Sequence, residues 1–517
     1  MIPPKATKDP TFLLTAHEAY PAFEREMLSA QSEIWIGFRV FDPTTKLQSG
    51  EACEIGSDWF DLLAHTLSRG VKIRLIISDF DPVVRPELHR GTWRSVRMAL
   101  AAAEISGRPD MLRVTAAMHP ARVGRAMSAA LWLKVRGRLS REARRLNGLK
   151  ASERNRALAD MPRFAEQMID VGGSLRPRYW PPVDLAPVTH HHKLAVFDRK
   201  RLYVGGLDLN NRRYDTLAHD RPGRDTWHDT QLITDGPEVG AAQAHLESFL
   251  DVVSGTASQP KTDPVFLRTM SKRLGPQPAL RMAPEQCINE IAQAHYAEVA
   301  KSERLIYFET QFFRDKTLAQ ALVKAAGNNP ELKLILILPA APEEVAFQAE
   351  RGSDMRYGEY MQAKCVDMVQ SAFGPRAFIG SPAQPKPSDQ ADGPDQLGAA
   401  PLIYVHSKVS IFDSRCAIVS SANLNGRSFY WDTEAGVKVT DPASVTQLRQ
   451  RCFEHWLPSD AHNDFYSDFE AVVEWSDLAR INAKRAPADR RGFLMPYPLG
   501  RAKRFGRNLP GVPEQMV

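Results

Sequence analysis

The feature that most constrains this chain is a pattern that occurs twice. His191-His-Lys193-Leu-Ala-Val-Phe-Asp198 and His406-Ser-Lys408-Val-Ser-Ile-Phe-Asp413 share the spacing His-x-Lys-x4-Asp. On a strand, alternate residues share a face, so histidine and lysine point the same way in each copy. An imidazole beside an ammonium is unfavourable in an apolar core and makes sense around an anion. Each copy then runs into small residues and an asparagine, Gly205-Gly-Leu-Asp-Leu-Asn210 and Ser420-Ser-Ala-Asn423. Small residues let the backbone approach a ligand, and the amide supplies a donor. Further on stands an acid, Asp229 in Trp227-His-Asp and Glu434 in Asp432-Thr-Glu. Two copies with the same followers, in equivalent places, exclude coincidence.

The surroundings are duplicated as well. Ile34-Trp-Ile-Gly-Phe-Arg-Val and Leu305-Ile-Tyr-Phe-Glu-Thr-Gln are strand-like, and each follows a stretch of helical periodicity, Glu18 to Ala30 and Cys287 to Val299. Val71-Lys-Ile-Arg-Leu-Ile-Ile and Leu332-Lys-Leu-Ile-Leu-Ile-Leu are expected as buried strands. Strands alternating with helices predict a layered α/β fold in two similar halves. The predicted divisions are 1–265, 266–480 and a basic tail, 481–517, wrapping the surface. Val71 to His191 spans 120 residues and Leu332 to His406 spans 74, so the first half carries an insertion. It is assigned to the Arg-rich stretch 111–165, read as helical. In the second half 374–400 is rich in Pro, Gly, Asp and Gln and reads as a loop.

Charge sharpens the picture. Of the net +6, residues 111–165 carry +10 and 484–507 carry +7, which leaves −11 on the rest. Such concentration suggests an anionic partner, a membrane surface or nucleic acid. With 43% hydrophobic and 25% charged residues in 517, wholesale disorder is excluded. The longest apolar run, Leu334 to Ala341, falls far short of the roughly 18 residues that span a bilayer. Met1-Ile-Pro-Pro-Lys is followed by no long apolar segment, so no Sec-type leader is expected. The expected location is cytoplasmic or peripheral to a membrane, with export by another route left open. The five cysteines are scattered without a CxxC and read as buried free thiols.

With Thr189-His-His-His-Lys, Ile403-Tyr-Val-His-Ser-Lys, Ile306-Tyr-Phe-Glu-Thr-Gln-Phe-Phe and Gly205-Gly-Leu-Asp-Leu…Arg213-Tyr-Asp-Thr…Trp227-His-Asp on the page, the chain resembles the phospholipase D superfamily, and most of all its eukaryotic-type branch. The resemblance covers roughly 32–434, apart from the insertion and the Pro-rich loop. It implies two α/β halves related by a pseudo-twofold axis, each a mixed sheet flanked by helices, sharing one active site. It implies His191 as nucleophile and His406 as general acid, with Lys193, Lys408, Asn210 and Asn423 cradling the phosphoryl oxygens. Asp229 and Glu434 match the family positions that fix the imidazole tautomers. Asp198 and Asp413 belong to the motif but are read as braces of its strand.

The resemblance implies a phospholipase D that cleaves a glycerophospholipid to phosphatidic acid and head-group alcohol. It needs no cofactor and no metal, acts at a membrane surface and is expected as a monomer. A covalent intermediate would also let a primary alcohol replace water. Three rivals remain: a transphosphatidylase of the cardiolipin synthase kind, a nuclease built on the same motifs, and a non-enzymatic basic scaffold on anionic membranes. Cardiolipin synthase-like members usually carry N-terminal membrane helices, which this sequence is not expected to have. Nucleic acid is the less favoured partner of the basic segments. A metal cluster at His190-His191-His192 is disfavoured because alternate strand residues face opposite ways. His219 and His228 are read as structural.

Overall fold

Branched and aromatic residues at alternating positions drive the chain into strands whose two faces meet different cores. The structure, a computed structural model, describes residues 10–178, 180, 183–275, 278–348, 352–388 and 393–517. The first half supplies β1 (Thr11–Leu14), β2 (Glu33–Phe38), β3 (Lys72–Asp79), β4 (Leu112–Met118), β5 (Lys193–Phe197), β6 (Arg201–Gly205) and β7 (Thr230–Thr234). The second supplies β8 (Phe266–Lys272), β9 (Glu285–Asn289), β10 (Leu305–Thr310), β11 (Lys333–Ile337), β12 (Ala377–Pro382), β13 (Lys408–Phe412), β14 (Cys416–Ser420), β15 (Glu434–Val439) and β16 (Leu494–Pro496). The sheet orders are β1-β7-β6-β5-β2-β3-β4 and β9-β8-β15-β14-β13-β10-β11-β12-β16. Within them the six-strand runs β7-β6-β5-β2-β3-β4 and β15-β14-β13-β10-β11-β12 have the same order and the same strand directions.

The inner faces of the two sheets share one core. Leu194, Val196, Val204 and Leu232 of the first pack with Val409, Ile411, Val419 and Val437 of the second. Alternate residues of the same strands, Ala195, Phe197 and Tyr203, face outward under the helices Thr15–Ser29, Trp59–Ser68 and Pro86–Ile105. The helices Glu290–Lys301, Lys316–Asn328 and Ser353–Phe373 cover the outer face of the second sheet. The result is helix, sheet, sheet, helix, with the motif strands β5 and β13 near the middle of their sheets.

Several expectations are corrected. Residues 112–118, placed in the helical insertion, form the sheet strand β4, because Leu112 is buried under the helices on its outer face and Ala117 is buried on the opposite face. The insertion proper has helices Arg125–Ala130, Trp132–Asn147, Ala151–Ala159 and Pro162–Ala165 and runs on into a hairpin, Met168–Val171 with Ser174–Pro177. It owns a small core of Val135, Leu139, Leu146, Phe164, Met168 and Leu175 that also takes in Val83 of the body. Within the stretch read as a loop, Ala377–Pro382 is a parallel strand beside β11, and only its later part is irregular; 389–392 lie outside the described residues. The tail is not merely draped on the surface, since Leu494–Pro496 pairs antiparallel with β12. Cys287 starts no helix but lies in β9, and Cys53 is exposed in a short surface helix, while Cys365, Cys416 and Cys452 are buried.

Candidate functional site

Each motif histidine stands just before its strand, where the chain crosses to the other half. His191 N donates to Thr433 O at 2.8 Å, and His406 N donates to His228 O at 2.8 Å. These crossings bring each ring to a carboxylate of the opposite half. His191 Nδ1 lies 3.0 Å from Glu434 Oε1, and His406 Nδ1 lies 2.6 Å from Asp229 Oδ2. Residue i meeting j while the equivalent of j meets the equivalent of i is the signature of a twofold relation. A carboxylate accepting from Nδ1 puts the ring proton there and leaves Nε2 free to react.

The lysines mirror one another too. Lys193 Nζ donates to His191 O at 2.6 Å and Lys408 Nζ donates to His406 O. Lys193 is also 3.8 Å from Asp208. Gly206 makes room for the second lysine: a Cβ there would lie 2.1 Å from Asp229 Oδ1 and 3.0 Å from Lys408 Cδ. Its counterpart Ser421 donates through Oγ to Glu434.

Burial of this many charges in one place sets the electrostatics. Desolvation pushes Glu434 up to about 8 and Asp229 up to about 6, against the pull of Lys193 and Lys408 respectively. Desolvation drives Lys408 down to about 7, with Asp229 opposing. Both imidazoles are held well below the usual histidine range, first by burial and then by their own motif lysines. The site therefore keeps neutral rings beside two lysine amines, a setting in which an anion favours the charged forms.

Of the other residues singled out in the sequence, Asn423 belongs to the site. It is buried and donates through Nδ2 to Gln311 Oε1 at 3.2 Å. Asn210 does not: its side chain accepts from Arg212 N at 2.9 Å and caps a 3-10 turn. The residue in its place is Asp208, 17 positions after His191 as Asn423 is 17 after His406. Asp208 is buried, accepts from Val40 N at 3.0 Å and pairs with Arg39 at 3.3 Å. Arg39 and Gln311 follow β2 and β10 at the same register, so an Arg–Asp pair in one half replaces a Gln–Asn pair in the other. Counting from each histidine, rather than looking for asparagine, finds Asp208. Asp198 and Asp413 sit at the far ends of β5 and β13. Asp198 accepts from Gln31 N, Ser32 N and Glu33 N, and Asp413 accepts from Glu303 N, Arg304 N and Leu305 N.

The wall around His406 was not read from sequence. Trp227 lies 4.5 Å from the ring, and the Arg213 guanidinium stands 3.5 Å above the indole. Arg212 pairs with Glu343 at 2.7 Å, whose backbone N–H donates to Tyr404 OH.

Duplicated α/β halves joined by crossed histidine–carboxylate bonds define a two-lobed class of protein with one composite site. A family model described as "Cardiolipin synthase, PLD-like domain" matches residues 296–456. Phospholipase D1 of Saccharomyces cerevisiae is 24% identical over 341 residues, 49% of this chain and 20% of that protein. Cardiolipin synthase 2 of Bacillus anthracis is 23% identical over 307 residues, 56% of this chain and 49% of that one. The chain thus spans a quarter or less of the length of the yeast relatives it matches. Phosphatidylserine synthase of Haemophilus influenzae superposes with a TM-score of 0.48 at 12% identity, over 92% of this chain and 94% of that one. These matches support the likeness of the chain to the phospholipase D superfamily.

Proposed function

We propose that this protein is a phospholipase D, which hydrolyses the distal phosphodiester of a glycerophospholipid to phosphatidic acid and the free head-group alcohol. One observation carries the reading: each motif imidazole is held at Nδ1 by a carboxylate of the other half, with an ammonium at its side. Two such rings supply a nucleophile and a proton donor, the two requirements of phosphodiester exchange.

The entering phosphate anion favours the charged ring, so His406 first takes a proton from solvent at Nε2. His191 Nε2 then attacks phosphorus while the P–O bond to the head group breaks, and the His406 imidazolium gives that Nε2 proton to the leaving alkoxide. The phosphoryl group then rests on His191. His406, now neutral, takes a proton from water; the hydroxide attacks phosphorus, the P–N bond breaks and the lipid leaves as phosphatidic acid. Lys193, Lys408 and Asn423 stabilise the equatorial oxygens as charge builds. The likeness to Phospholipase D1 favours lipid over other diesters. Docking to an anionic membrane is assigned to the insertion, where Arg141 and Arg144 are exposed and Arg145 pairs with Glu142.

Head-group exchange is the second reading, favoured by the family model and the Bacillus relative, whose names are those of cardiolipin synthases. Among the described residues no helix is long and apolar enough to cross a membrane. Mass spectrometry of products from phosphatidylcholine vesicles, with and without ethanol, tests both. Phosphatidic acid alone in water and phosphatidylethanol with alcohol are expected, and both vanish in His191→Ala and His406→Ala. Protein that releases no choline yet cuts plasmid DNA overturns the lipid assignment. Glutamate at 141, 144 and 145 is expected to weaken sedimentation with anionic vesicles; unchanged binding removes the docking role.

A further inference from the structure

Behind the Asp229 side of the site lies a second group of histidines that the reaction does not use. His219, His228 and His455 each offer a ring nitrogen, and the three atoms lie within 4.8 Å of one another. His219 and His228 are buried, and His455 is partly exposed at the end of the helix Pro442–Trp456. His219 Nε2 faces His455 Nε2 at 2.9 Å. Among the described residues, the Nδ1 of His228 is buried without any hydrogen-bond partner. A zero-exposure imidazole nitrogen with no partner is costly, and its neighbours are nitrogens rather than acceptors or donors of another kind.

The opposite nitrogens of His219 and His228 are engaged. His219 Nδ1 donates to Asp215 Oδ2 at 2.6 Å, and His228 Nε2 donates to Glu309 Oε2 at 2.9 Å. Asp215 is itself fixed by Trp227 N, and Glu309 by Tyr307 OH and Trp456 Nε1. Carboxylates that hold the far nitrogen of a histidine turn its near nitrogen into an unprotonated ligand, the arrangement found behind metal-bound imidazoles. Two buried carboxylates also match the charge of one divalent ion. Trp456 and Phe493 pack against His219 and keep the surroundings apolar.

We propose that His219, His228 and His455 bind one transition-metal ion, with zinc the best match to three imidazoles and an open fourth position. The ion would tie the loop of the first half that carries Asp229 to the last helix turn of the second. Its role is structural, because His228 adjoins Asp229 but points away from His406 toward Glu309.

The experiment uses the whole chain with a tag that contains no histidine. It is stripped with a chelator, equilibrated with zinc chloride and desalted. About one zinc per chain is expected by elemental analysis, with a rise in Tm. The zinc-edge absorption spectrum should show imidazole scattering and no sulfur. His455→Gln and His219→Gln should lower retained zinc at least about tenfold, and His462→Gln, at an exposed histidine, should not. Folded wild-type protein that keeps fewer than about 0.1 zinc per chain overturns the proposal. So does a spectrum with sulfur or without imidazole, or a His455→Gln protein that keeps wild-type zinc. If a variant fails to fold, the wild-type stoichiometry and spectrum decide.

Discussion

At the scale of single residues, the site is set by groups whose ionisation is displaced in opposite directions by one cause. Burial lifts Glu434 to about 8 and lowers Lys408 to about 7. The reaction needs Glu434 ionised, to hold the Nδ1 proton of His191, and Lys408 charged, to meet the phosphoryl oxygens. Glu434 loses its proton as pH rises through its value, so the rate climbs there. Lys408 loses its charge as pH rises through its own, so the rate falls. Because the falling limb lies below the rising one, only a minor share of free enzyme has the right form at any pH. The expected profile of kcat/KM is a narrow bell centred between about 7 and about 8. Asp229, at about 6, is already ionised across that window. In Lys408→Arg the guanidinium keeps its charge, so the falling limb should move up and the optimum with it, at reduced kcat. Initial rates from pH 5 to 10 check this; an optimum left in place by Lys408→Arg contradicts the role given to the ammonium.

At the scale of strands and turns, the motif aspartates act on backbone rather than substrate. Asp198 and Asp413 both take positive φ, 50° and 55°, at the turn that ends the motif strand, a conformation asparagine and aspartate tolerate best. From there each carboxylate receives the backbone N–H groups that lead into the neighbouring strand. Asp198→Ala should therefore cost about 1–2 kcal/mol of stability, as three backbone N–H groups lose their charged acceptor, with kcat within about twofold well below Tm. Thermal unfolding beside initial rates tests it, and a hundredfold loss of kcat in a folded variant moves Asp198 into the chemistry. The repeated strands, the histidines and the lysines were legible because periodicity and a doubled motif both report them. Asp208 was not, because the second half carries asparagine at the equivalent position and the first half has its own asparagine, Asn210, two residues further on. The strands Ala377–Pro382 and Leu494–Pro496 were hidden by their flanking glycines and prolines, which mark turns locally whatever the sheet does with the residues between. The wall of Trp227, Arg213 and Tyr404 was illegible for another reason: it is assembled across 177 and more positions of chain, and no local pattern encodes it.

At the scale of the molecule, neither half owns a working site. His191 depends on Glu434 and His406 depends on Asp229, so a rigid-body shift of one half breaks both bonds together. What resists such a shift is the apolar core shared by the inner faces of both sheets, together with Arg451, which holds Glu18 at 2.6 Å across the halves. The covalent link, by contrast, passes through 255–264, an exposed stretch between the helix Glu238–Ser254 and β8. Cutting there removes only the chain connection, and the buried apolar contacts stay in place. A protease site inserted between Ala257 and Thr262 should yield, after cleavage, two fragments that co-elute and keep activity within about twofold. Placing a charge inside the shared core should do the reverse. Leu232→Arg leaves every motif residue intact, yet it buries an unpaired cation between the sheets, an effect of several kcal/mol. It should abolish activity, and in the cleaved protein it should release the fragments from one another on size exclusion. Cleaved wild-type protein that separates and loses activity would show that the link, not the core, holds the two imidazoles in register.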